Sequence, residues 1–347
     1  MTTRKAYIDA AKFLGILLVL MNHIELKFPF VNFYGGMFYV PVFFVAAGLT
    51  YYNKEEGLKV FAAKKARRLL VPYFICNGFL YVFFMAKDFL AGKAPHKEQL
   101  TALIGILYSR NSLYIPGQEP NVYFMTILNS PTWFLTAMFL TYLLLKVSFR
   151  ITKGKKRELF LFALSMFVLG ALLHYFCPVL LPWSLECIPL FYCYMVSGYF
   201  IREEGLLEKK MPVALILAIV VFFLSCEFNG SANISVGHLG KSLVAGMYNG
   251  IFSSFFIIWL LKQLEIKIAL KLTEFMAGFG KHTLTILCYH MLVFAFGQGV
   301  LQIIIPETLM EQNLISRIVK IFIIIITTVV IILVEKIVST LSERRRL

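Results

Sequence analysis

His23 lies in the first long apolar stretch of the chain, in RKAYIDAAKFLGILLVLMNH, a segment that also carries Asp9 and Lys12. At 100° per residue Lys12 and His23 fall within about 20° of one another and Asp9 about 40° from His23, so a helix would present all three as one polar stripe. The rise from Lys12 to His23 is about 16 Å, which rules out a direct bond and sets a cation near one mouth of a channel with an imidazole further in. That arrangement suits transfer of an acyl group from an anionic carrier to a hydroxyl: the cation attracts phosphate, and a neutral imidazole takes the hydroxyl proton near neutral pH. A histidine in such a place can also be a hydrogen-bonding residue between helices, with no chemistry attached.

His290, after Lys281 and His282 in a late apolar stretch, could face His23, bind an acceptor or pack between helices. Asn22, Glu25, Glu186 and Glu227 fall near the ends of apolar stretches. Glu25 and Glu186 can orient a histidine, bind an acceptor hydroxyl or anchor an interface. The run Lys64, Lys65, Arg67, Arg68 can hold the phosphates of a carrier such as coenzyme A, or simply mark the cytoplasmic edge of the next span. Trp133 can line a sugar site or, like Tyr7, Tyr73 and Trp183, sit at the membrane interface. The six cysteines show no metal-ligand spacing, and neither a phosphate-binding glycine loop nor an acidic metal cluster is present in the sequence. No metal site and no disulfide framework are expected.

The elements that must carry these residues follow from composition. With 59% hydrophobic and 15% charged residues in 347, the chain needs lipid around it. The sequence predicts an all-α, polytopic membrane helical bundle of about ten transmembrane helices, near 11–28, 34–52, 69–90, 132–149, 159–177, 183–200, 211–227, 240–261, 275–297 and 318–338. The first stretch reads as a retained span, not a removable signal. With the N-terminus in the cytoplasm, the basic groups at Arg4 to Lys5, Lys54 to Arg68, Arg150 to Arg157, Arg202 to Lys210, Lys262 to Lys271 and Arg344 to Arg346 all fall on the cytoplasmic side. Both termini are therefore expected there, and the formal charge of +15 reports loop orientation and not nucleic-acid binding. Residues 91–131 form the one substantial outward loop, with short apolar pieces at 100–108 and 122–128 that could lie on or dip into the membrane. The whole of 1–347 reads as a single membrane domain.

The opening segment resembles the first-helix motif of acyltransferase family 3, a membrane family that includes bacterial sugar and polysaccharide O-acetyltransferases. His23 matches the family's essential histidine, Asp9 its aspartate, and Lys12 the basic residue ten intervening positions before the histidine. Arginine is commonest at that position; lysine keeps the charge and loses the bidentate geometry. FYVPVFFVAAGLTYY, KKARRLLVPY, PTWFLTAMF and GFGKHTLTILCYH resemble further segments of the family in order, over most of the chain. The resemblance implies acetyl-CoA as acyl donor, handled by Lys12, Arg67 and Arg68, with His23 acting at the hydroxyl of a carbohydrate or lipid-linked glycan acceptor. It also implies a bacterial cytoplasmic membrane, and a homo-oligomer is compatible with it. Direct transfer and an acyl-histidine remain open. The opposing reading is a multispanning transporter or exporter of a sugar or small metabolite. No further domain is expected after residue 338.

Overall fold

A computed structural model describes residues 5–92, 97–114, 130–210, 212–267, 270–304 and 314–344. The apolar piece expected at 122–128 lies outside them, as do Arg4, Arg345 and Arg346. Apart from short 3-10 turns and two isolated bridges, the described secondary structure is α-helical. In chain order the helices are α1 (Ala6–His23), α2 (Pro29–Gly36), α3 (Pro41–Leu49), α4 (Leu58–Leu90), α5 (Lys97–Tyr108), α6 (Trp133–Ile151), α7 (Lys156–Phe176), α8 (Ile188–Glu203), α9 (Pro212–Asn229), α10 (Leu243–Lys267), α11 (Leu270–Gly280), α12 (Thr283–Ile304) and α13 (Leu314–Arg344).

The protein is an all-helical integral membrane protein. Among the described residues six helices are long and apolar enough to cross a bilayer: α1, α4, α6, α7, α10 and α13. The pair α2 and α3, broken just before Pro41, would make a seventh. The expected ten is not reached by this measure, for local reasons. The stretch expected as 34–52 is cut at the break that Pro41 imposes, since its ring cannot continue a preceding helix. The stretch expected as 275–297 is cut between Gly280 and Thr283. Helix α9, with 17 of its residues described from Val213, and α12, described as apolar to Gly297, are shorter. Helix α8 has twelve of its 16 residues buried, so it faces protein and is not selected for lipid-matching apolarity.

Two compact units can be recognised. One comprises Met1–Tyr39 with Leu260–Leu347, the other Val40–Trp259. In the first, α1 packs along α11 and against α12 and α2, and α12 packs on α13. In the second, α8 is the central rod, touched by α3, α6 and α7, with α4 on α6. The α3–α8 seam is close because both helices place glycine there. A Cβ on Gly48 would run into the Met195 carbonyl and one on Gly198 into the Val45 carbonyl, so backbone meets backbone. The ring of Phe44 stacks on that of Phe191 at 4.7 Å along the same seam.

Candidate active site

The end of α1 fixes the position of His23. Glu25 adopts a left-handed backbone (φ 55°), its N–H donates to the Asn22 carbonyl at 3.2 Å, and the Leu26 N–H reaches the Met21 carbonyl at 2.8 Å. This is the paired hydrogen-bond pattern of a Schellman stop, formed with glutamate where glycine is usual, and Leu26 and Met21, the positions whose apolar contact usually accompanies it, are both buried. A non-glycine residue in that conformation costs about 1–2 kcal/mol, which the surrounding turn must offset. Asn32 of α2 does so: its Oδ1 accepts from the Phe28 N–H at 2.6 Å, and its Nδ2 donates to the Leu26 carbonyl at 3.3 Å and to Asn22 Oδ1 at 3.1 Å. His23 is thus the last helical residue. The expected span 11–28 is shifted toward the N-terminus, and the imidazole sits at a helix end and not within its length.

His290 meets it there. The two rings lie 5.3 Å apart, tilted by 50°. His290 is wholly buried, and its Nδ1 faces the carbonyls of Ile286 at 2.9 Å and Leu287 at 3.1 Å. Carbonyls only accept, so Nδ1 carries the proton and Nε2 is left as a bare lone pair. That Nε2 is buried with no hydrogen-bond partner. An acceptor left so costs about 1–3 kcal/mol, and it is met here beside a second histidine.

At the other end of α1, Lys12 Nζ bonds Asp9 Oδ1 at 3.1 Å, one turn apart on a buried face. Asp9 stands about 21 Å along the helix from His23 and is therefore not its direct partner. The main chain at Asp9 touches α11: a Cβ on Gly280 would overlap the Asp9 carbonyl. Just beyond Gly280, His282 Nδ1 pairs with Glu335 Oε2 of α13 at 2.8 Å.

The remaining sequence candidates lie in the second unit, except Glu25, which is exposed in the turn after His23. In the basic run of α4, Lys64 bonds Glu56, which holds that carboxyl below the usual carboxylate range, and Lys65 lies 3.3 Å above the Tyr142 ring. Arg67 and Arg68 are exposed, with no ion pair among the described residues. Glu186 is buried. It pairs with Arg110, and its second oxygen accepts from the Leu181 N–H at 3.0 Å. Arg110 also donates to the Ser235 carbonyl, and its guanidinium lies 5.9 Å from the Trp133 ring. Trp133 packs on Phe191 at 6.0 Å.

Sequence reasoning missed Arg110, and also Arg317 and Lys320 at the start of α13. The available signal was charge position, since all three stand where the expected orientation of the loops leaves few cations. A family model described as an acyltransferase domain matches residues 5–334. No curated protein and no solved structure matches the chain.

Proposed function

The chain belongs to acyltransferase family 3, and from that premise we propose that it transfers an acetyl or other short acyl group from acyl-CoA to a hydroxyl of a carbohydrate or glycan precursor. The observation that carries the reading is the His23–His290 pair, two imidazoles in ring contact where the end of α1 meets the body of α12, with the His290 Nε2 lone pair buried there. In the proposed reaction His23 takes the proton of the acceptor hydroxyl as its oxygen attacks the thioester carbonyl. The carbon–sulfur bond then breaks, and the departing thiolate receives a proton. Lys12, Arg67 and Arg68 are proposed contacts for the anionic donor, and the two arginines, exposed and without an ion pair among the described residues, support that role over simple packing. Trp133, Glu25 and Glu186 are proposed acceptor contacts, Glu186 with its charge already matched by Arg110. No resident metal or cofactor is proposed. The orientation proposed is ten crossings of a bacterial cytoplasmic membrane with both termini inside. The family model runs through both units, which supports treating them as one catalytic domain.

The test is to incubate the purified protein in lipid with isotopically labelled acetyl-CoA and pools of free and lipid-linked glycans, reading labelled product by mass. His23→Gln is expected to lower turnover by about 10²–10⁴-fold with donor binding retained, the range for loss of a general base. A variant that turns over at the wild-type rate removes His23 from the chemistry. Vectorial sugar uptake with no acyl transfer across a broad acceptor survey would replace the enzyme by a transporter.

A further inference from the structure

We infer that Arg317 and Lys320, on the first turns of α13, bind a phosphate group carried by the acceptor, so that the hydroxyl substrate is an anionic, phosphate-bearing glycan. The inference rests on the acceptor reading given above and deepens it.

Cations of a membrane protein collect at one side of its spans, so a pair at the opposite ends calls for a local cause. Helix α13 runs antiparallel to α1: its Glu335 meets His282, which follows the Gly280 that touches Asp9, while its Lys320 Nζ donates to the Glu25 carbonyl at 3.2 Å. Arg317 and Lys320 therefore belong to the His23 end of this unit, away from the Asp9–Lys12 pair. Glu25 is two positions from His23, with Ile24 alone between them, so the anchor point of Lys320 is at most about 7 Å of chain from the proposed base.

Among the described residues no carboxylate pairs with Arg317 or Lys320, and Arg317 Nε is buried without a hydrogen-bond partner among them. The Arg317 guanidinium lies 5.4 Å from the Phe28 ring, which holds its plane at the turn. Lys27 adds an exposed cation to that turn, and Glu25 supplies one carboxylate, so among the described residues of the turn and the start of α13 the cations outnumber the carboxylates. Guanidinium and ammonium groups held together in this way match phosphate oxygens through charge-assisted hydrogen bonds, which a neutral sugar cannot provide. A phospholipid headgroup offers the same chemistry. The acceptor is favoured because Lys320 uses one of its three donors on the loop beside His23 and keeps the others next to the imidazole, from which a headgroup would gain nothing.

The test uses full-length protein in discs of a phosphate-free galactolipid and two radiolabelled probes, a long-chain alkyl glucosyl phosphate and the matching alkyl glucoside. Wild type is expected to bind the phosphate probe about tenfold more tightly, a preference that shrinks as salt is raised. Arg317→Gln with Lys320→Gln should bring binding of the phosphate probe down to that of the glucoside in the same variant, while Arg317→Lys with Lys320→Arg should keep most of the preference. Each single glutamine variant should lose part of it, which covers a double variant that does not fold. Absence of a preference in wild type, or its survival in the glutamine pair, overturns the inference. A second arm uses phosphatidylglycerol discs. Loss of retained phosphatidylglycerol in the glutamine pair, with no probe preference in galactolipid, would make these residues lipid anchors and also overturn it. Binding is read without acyl donor, so failure here is distinguishable from failure of the acetyl-transfer assay.

Discussion

His290 shows how one side chain can be costly to the fold and still be retained. Its Nδ1 bonds carbonyls that the helix already uses, and its Nε2 is an acceptor with nothing to accept. His290→Leu removes that orphan, so thermal stability is expected to hold or rise, whereas acyl transfer should fall at least about tenfold if Nε2 steadies the reacting hydroxyl or His23. Parallel melting and turnover measurements decide it: a variant that melts lower yet turns over normally makes His290 a packing residue. The polar stripe from Asp9 to His23 was legible because helical periodicity is local, and the pairing of Lys12 with Asp9 follows from a spacing of three. The Arg110–Glu186 pair was not legible. Its partners are 76 positions apart, and periodicity carries no information on which distant carboxylate a loop arginine will meet. Glu186 was legible only as a polar residue near a helix end. Breaking such a buried pair on one side costs about 3–5 kcal/mol, which gives it a structural hold on the loop before α8 whatever its part in acceptor binding.

Among the elements, close backbone approach decides more than apolar area. Gly48→Ala or Gly198→Ala would drive a methyl into the facing carbonyl, and each is expected to destabilise by about 1–3 kcal/mol, as overpacking does, or to force α3 and α8 apart. Gly78→Ala, which has open space around its Cβ position, is the matched control and should melt as wild type does. Denaturation of the three variants in the same detergent reads the difference. The Gly280 contact on Asp9 is of the same kind and ties α11 to the start of α1. Sequence hydropathy placed α6, α7 and α9 within about three residues but missed the breaks before Pro41 and after Gly280, the first because the apolar run continues through residues 37–40, the second because Lys281 and His282 read as polar residues inside one span. Pro41 and Gly280 were visible as residue types. Their meaning depended on the neighbouring backbone, which a single run of sequence does not display.

At the scale of the whole chain, orientation remains a matter of charge. A cysteine introduced in 150–158 is expected to react with an impermeant thiol reagent only from the cytoplasmic side of oriented vesicles; labelling from outside would overturn the ten-span arrangement. The charge asymmetry was readable from the sequence, whereas the division into two units was not, since it joins residues 1–39 to residues 260–347 and treats the intervening chain as a unit of its own. That division has a consequence for the order of synthesis. About 270 residues separate His23 from His290, and at about 5–20 residues per second a ribosome needs on the order of 10–50 s to make them. Throughout that interval α1 is in the bilayer with its aspartate, lysine and histidine but without α11, α12 or α13 to cover them. A nascent helix of that kind keeps its polar groups uncovered by these helices until residues 270–290 emerge, and only then can His23 meet His290.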